Sequence, residues 1–202
     1  MLTDGSDHHH CGVPSLSHDD VRTADAYESA RAESRRELAT GQRHRRIPLG
    51  DTLTLIFENH ATVRGVVEEA LRSERIDDPE HVAREVGAFA QLVPGAGELC
   101  AMTVFEVADQ AELSRRSAAM EGVTGSIRLV VGDAVIVPTD EHRSDDAGAG
   151  VGYLRFRLSA DEQRRFADDA VDVTIDVDHP GYRASAVLTP EQREQLLADM
   201  AG

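Results

Sequence analysis

The stretch SIRLVVGDAVIVP, residues Ser126–Pro138, decides the fold class of this 202-residue chain. Two short β-branched runs flank Gly132-Asp133, and a glycine at such a point supplies the left-handed backbone that a tight hairpin needs. The two strands must therefore run antiparallel. Outward from this hairpin, helical and strand-like segments alternate without a repeating strand-helix-strand period, and no internal repeat is visible. The pattern predicts an α+β fold: one domain over residues 16–202, with a mixed or mainly antiparallel sheet packed with several helices.

Upstream of the hairpin, "ELCAMTVFEV" reads as a strand and "DQAELSRRSAAM" as a helix. "RIPLGDTLTLIFEN" sets Leu53, Leu55 and Phe57 against Thr52, Thr54 and Ile56, which predicts one strand buried on at least one face. Two helices follow it: one from about Ala61 to Arg75, and one opened by Asp78 and Pro79 and stopped before Pro94. Ser17 is placed to cap a helix running to about Thr40. Downstream, "EHRSDDAGAG" reads as a polar loop and "VGYLRFRL" as a strand, and Ser159 with Glu162 forms a capping box. "VDVTIDVDHPGY" reads as a last strand and turn, and a helix begun by Thr189 and Pro190 closes the chain. Residues 1–15, with Gly5, Gly12 and Pro14 and no periodicity, read as a flexible tail.

The formal charge of −16 would repel phosphate backbones and anionic membranes over most of the surface, so nucleic acid is not an expected partner. All 21 basic side chains are arginine. The absence of lysine excludes a phosphate-loop lysine, Schiff-base chemistry and pyridoxal-phosphate anchoring. No apolar run reaches the ~18 residues of a membrane span, and the polar N-terminus lacks a signal-peptide core, so a cytoplasmic, non-membrane protein is expected. Cys11 and Cys100 are too few for a disulfide framework or a zinc finger.

Several groups carry potential chemistry. The run SDHHHC, Ser6–Cys11, offers one or two metal ligands but cannot close a tetrahedral site alone. On the helix beginning near Ala61, turning ~100° per residue from Val63 puts Val66, Val67, Ala70 and Leu71 on one stripe, and Glu74 falls within it. A carboxylate buried on such a line must be paired, protonated or bound to a metal; the alternative is that Glu74 turns to solvent at the helix end. Thr62, Glu69 and Ser73 share a flank. In "DHPGY", His179 and Tyr182 sit where a strand meets a turn, able to act as base, ligand or hydrogen-bond donor, or simply to bond the turn's backbone. Strand alternation turns Arg155 away from Leu154 and Phe156, toward an acidic ligand, Glu74 or solvent. His81 and Glu85 read as an exposed i,i+4 pair, Cys100 as a small core residue, and Arg43–Arg46 as a solvated helix end.

The segments "TLIFENHATVRGVVEEALRSERI", "EVGAFAQLVP", "GYLRF" and "DHPGY", in this order, resemble the bacterial family labelled domain of unknown function 3501, from about Leu16 to the last helix. That family's pattern places glutamine at Val66, tyrosine at Phe89, asparagine at Ala90 and histidine near Gly152, while this chain keeps Glu58, Thr62, Glu69, Glu74, Arg155, His179 and Tyr182. The resemblance implies a link to redox or peroxide defence, because relatives are encoded beside rubrerythrin-like di-iron proteins and iron-sulfur oxidoreductases. The leading expectation is a cytoplasmic accessory protein of a redox or iron-handling system, acting on an iron-sulfur or di-iron partner or a metal. A second is a metal-dependent enzyme acting on an acidic small molecule. There Glu69, His179 and Tyr182 would be catalytic, Arg155 and Thr62 would bind substrate, and Glu69, Glu74 and His179 would hold a transition metal, iron or zinc. A third is a small-molecule sensor without turnover. A second copy of the chain is a further partner to be considered.

Overall fold

The computed structural model describes residues 16–22, 24–107, 109–142 and 152–201. The predicted tail, with its His8–Cys11 run, lies outside them, as does most of the "EHRSDDAGAG" segment. In chain order the elements are α1 (Ala24–Gln42), β1 (Arg46–Leu49), β2 (Leu53–Glu58), α2 (His60–Glu74), α3 (Pro79–Ala90), β3 (Glu98–Phe105), α4 (Gln110–Ala119), β4 (Ile127–Val131), β5 (Ala134–Ile136), β6 (Thr139–His142), β7 (Tyr153–Arg157), α5 (Ala160–Ala167), β8 (Val173–His179), β9 (Tyr182–Val187) and α6 (Pro190–Ala201).

The strands form two sheets, ordered β1-β2-β3-β7-β6 and β5-β4-β8-β9, and every pairing between described strands is antiparallel. The hairpin that set the fold class is β4–β5, with Val131 opposite Ala134 and Gly132 at φ +61°. One core fills the space between the sheets: Leu55, Phe57, Leu99 and Phe156 from the first meet Ile127, Leu129, Ile175 and Val177 from the second. Phe166 of α5 and Leu196 and Met200 of α6 belong to the same core. A second cluster joins Leu16 to Val63, Val67 and Leu71 of α2, Val82 and Val86 of α3, and Val93. The fold is α+β, and no described helix is long and apolar enough to cross a membrane.

Several boundaries differ from the sequence reading. Ser17 caps only a 3-10 turn, His18–Asp20, and α1 begins at Ala24. The single strand expected over residues 46–58 is a hairpin, because the chain reverses at Gly50. Its φ is +70°, and a Cβ there would lie 2.4 Å from the Tyr182 hydroxyl, so glycine is required. Leu49 and Leu53 are register partners across that reversal. The strand β9 was absent from the prediction because its inward side carries small residues, Ala184 and Ala186, which leave little alternating signal. Glu141 and His142, expected in a loop, end β6.

The arginine run also behaves differently from a solvated helix end. Arg45 is buried and forms a two-pronged pair with Asp199 of α6, Nε to Oδ2 at 2.6 Å and Nη2 to Oδ1 at 2.7 Å. It also donates to the Gly41 carbonyl at the end of α1. Arg46 pairs with Glu106. The predicted caps of Ser159 and Thr189 are present, each closed by the side chain three residues on.

Candidate functional site

The residues singled out in the sequence stand on α2 (Thr62, Glu69, Glu74), β7 (Arg155), β8 (His179) and β9 (Tyr182), and most already serve the fold. Glu69 faces α1, where it accepts hydrogen bonds from the Tyr27 hydroxyl at 3.0 Å, Arg31 Nε at 2.8 Å and Arg72 Nε at 3.1 Å. The Arg31 guanidinium foremost, seconded by Tyr27 and Arg72 and opposed by burial, brings its carboxyl down to about 2. Burial and the bond to Glu69 push the Tyr27 phenol up to about 12. Such a carboxylate stays ionised at neutral pH and serves as an anchor between helices.

Glu74 requires a correction. It stays in line with the buried Val63, Val67 and Leu71, but it is the last residue of α2, before Arg75 at φ 55°, and is exposed, the helix-end alternative given above. The buried arc of α2 consists of Thr62, Val63, Gly65, Val67, Glu68 and Leu71. It keeps Val63, Val67 and Leu71 of the predicted stripe, leaves Val66 exposed, and extends round the helix to Gly65 and Glu68, because α1 packs against that flank. The buried carboxylate of this helix is therefore Glu68.

His179 closes the β8–β9 turn, its Nδ1 accepting the Gly181 N–H at 3.1 Å. Tyr182 donates to the Leu49 carbonyl and accepts the Thr52 N–H, tying β9 to the β1–β2 turn. Thr62 completes the cap of α2: its N–H bonds Asn59 Oδ1 at 3.0 Å, and its hydroxyl accepts the Asn59 N–H at 2.8 Å. Arg155 is buried and donates to Glu98 and to the Gln91 carbonyl, so its carboxylate is Glu98, not Glu74. Among the described residues, no group of three or more His, Cys, Asp or Glu side chains is arranged to hold a metal ion. Glu69, Glu74 and His179 do not form such a group.

Chemistry instead gathers where β2 runs into α2. On the first sheet's face away from the shared core, Glu58, Cys100 and Arg155 are direct cross-strand neighbours, and Ile56, Met102 and Tyr153 form the next row. Such neighbours have Cβ atoms about 5 Å apart. Glu58 is buried, and its Oε2 has no hydrogen-bond partner among the described residues. Burial pushes its carboxyl above the usual carboxylate range, and Thr62 and the Arg45 guanidinium offset only part of that push. Burial, then the charge of Glu58, raises the Tyr153 phenol. Burial also acts to raise Glu98, but hydrogen bonds from Arg157, the Gly95 N–H and Arg155 outweigh it and hold that carboxyl low.

Beside Glu58, across Asn59 and Thr62, a cleft of about 90 Å³ opens between α1 and α2. Its wall includes Arg22, Ser34, Arg45, Asn59, Arg64 and Glu68. Arg22 donates to both oxygens of Glu68, each at 2.9 Å, and to Ser34 Oγ at 2.8 Å. Asn59 Nδ2 donates to Asp199 at 3.0 Å, joining the Arg45–Asp199 pair to the start of α2. The helices come this close because position 65 is glycine: a Cβ there would lie 2.3 Å from Leu38 Cδ1. Arg22, Ser34, Arg45, Asn59 and Glu68 of the wall are thus locked polar groups, an arrangement that presents fixed donors and acceptors to a small molecule.

Arg22, Ser34, Arg45, Arg64 and Glu68 were not among the predicted site residues. One signal was present: Tyr27, Arg31, Ser34 and Leu38 recur at the i, i+4, i+7, i+11 spacing of one helix face. Its mixed polarity hides it from a search for apolar stripes.

The family model described as "Protein of unknown function (DUF3501)" matches residues 15–200. The chain is also similar to a solved structure from Burkholderia pseudomallei, described as a novel protein of unknown function. The two share 25% sequence identity with a TM-score of 0.84, over 92% of this chain and 99% of that one. No curated protein matches the chain.

Proposed function

The chain belongs to the DUF3501 family, and from that premise we propose that it is a binding protein without turnover, which takes a small polar ligand in the cleft between α1 and α2. The observation that carries this reading is the wall itself. Arg22 with Glu68, and Arg45 with Asp199, are bonded to each other in fixed geometry. Pairs of this kind position a ligand, whereas proton transfer needs a group free to change its charge. Glu58, whose carboxyl is raised, stands behind Thr62 and is not part of the cleft wall.

Ala61 is an exposed residue on the rim, so Ala61→Phe would fill the cleft without entering either hydrophobic cluster. A thermal-shift screen against small polar metabolites should find ligands that raise the melting temperature of the wild type and leave Ala61→Phe unmoved. Ligands that shift both proteins equally would place binding elsewhere.

The family resemblance adds the setting: an accessory role in the cytoplasm, beside a di-iron or iron-sulfur redox protein. Co-purification of such a partner from native extract under oxidising and reducing conditions would support the setting, and recovery of none under either would count against it. Elemental analysis of the untagged protein separates this reading from one in which iron or zinc is the ligand. Stoichiometric metal in the wild type that is lost from Ala61→Phe would favour the metal.

A further inference from the structure

We propose that the cleft between α1 and α2 is an oxyanion site, in which Arg64 binds a carboxylate or phosphoryl group of the ligand; this rests on the reading of that cleft as the binding site. The wall carries three arginines, Arg22, Arg45 and Arg64. Two are already committed: Arg22 to Glu68, and Arg45 to Asp199. Arg64 has no ion pair or hydrogen bond among the described residues, and its Nε is shut off from solvent without a partner. The two Nη groups of the same guanidinium are neither hydrogen-bonded to the described residues nor shut off from solvent, and they are what an oxyanion reaches. The planar fork of the guanidinium matches two oxygens of a carboxylate or phosphate.

The surrounding charges agree with this assignment. The wall holds three arginines against two glutamates, Glu37 and Glu68, and Glu68 is occupied by Arg22. With Asp199, which pairs with Arg45, counted beside them, the three arginines meet three carboxylates, and the cleft is balanced in charge on a chain whose formal charge is −16. Asp20 and His60 also face Arg64. Asp20 feels both electrostatically, but its carboxylate is bonded to Ser17 and makes no ion pair with Arg64. Ser34 Oγ accepts from Arg22 and retains its own hydroxyl proton to donate across the cleft. The first turn of α2 adds the positive end of a helix dipole on the same side.

The test is calorimetric titration with inorganic phosphate, succinate and neutral erythritol. Four proteins are compared: wild type, Arg64→Gln, Arg64→Lys, and Arg84→Gln as a control at an exposed position of α3. Melting temperatures measured alongside show that each variant is folded. Wild type and Arg84→Gln should bind at least one oxyanion, Arg64→Gln should bind it at least ~10-fold more weakly, and Arg64→Lys should recover part of the loss. A response to phosphate alone identifies a phosphoryl ligand, and one to succinate alone a carboxylate. Equal affinity in wild type and Arg64→Gln would overturn the assignment, as would a wild type that binds neither oxyanion. Erythritol binding, or a hit from the metabolite screen, that is lost in Ala61→Phe and kept in Arg64→Gln would overturn the oxyanion assignment and leave the cleft standing. Silence in every arm, the screen included, would overturn both.

Discussion

The Tyr182 hydroxyl closes two hydrogen bonds to the β1–β2 turn, whereas Glu74 is exposed at the end of its helix. Tyr182→Phe should therefore cost about 1–2 kcal/mol of unfolding free energy in urea denaturation, and Glu74→Ala less than about 0.5 kcal/mol. A larger loss for Glu74→Ala than for Tyr182→Phe would reverse the roles given to these residues. Glu58 makes a pH prediction. Its folded carboxyl is raised, so the native state binds the proton more tightly than the unfolded chain, and stability is lost as pH rises from the ordinary carboxylate value through the raised one. Glu58→Gln cannot ionise, so the melting temperature of the variant minus that of wild type should grow between pH 4 and 8. A flat difference would show that the carboxyl is not held in a costly environment. Glu69 is present in both proteins and cancels in that difference. Its carboxyl is held at about 2, so its contribution is full above the ordinary value and is lost only as pH falls toward 2.

The contact between α1 and α2 makes the cleft, and it depends on Gly65 lying against Leu38. Gly65→Val should cost about 1–3 kcal/mol through overpacking. Adding Leu38→Ala should return part of that, so the double mutant is less destabilised than the sum of the singles. Strict additivity would mean that the two helices do not meet there. The same contact explains why the sequence misled at α2. Val63, Val67 and Leu71 were legible as core positions and are buried, but Val66 is 43% exposed. Apolar periodicity alone could not show that Leu38 of α1 and Arg22 before it would cover the flank carrying Gly65 and Glu68. The β4–β5 hairpin, the caps at Ser159 and Thr189, and the proline-started α3 were readable because each is written in local backbone chemistry. Arg45 with Asp199 was not, since its partners lie 154 residues apart and only the tertiary fold joins them.

At the scale of the molecule, two antiparallel sheets share one core, and helices α1 and α2 meet outside it to form an arginine-lined cleft, balanced in charge, on a strongly acidic chain. The ion pairs that line this cleft draw on the segments before and after α1, on α2 and on α6, so its shape depends on the complete fold. Long-range repulsion by the formal charge of −16 is screened within about 10 Å at 0.1 M salt, which leaves local contacts to decide what enters. The most direct measurement is therefore an amide chemical-shift map of the folded protein titrated with the best ligand from the metabolite screen. The account predicts that the largest saturable shifts fall on Ser34–Gly41 and Asn59–Glu68 and disappear in Ala61→Phe. Shifts centred on the outer face of β8 and β9, or a map unchanged by Ala61→Phe, would contradict it.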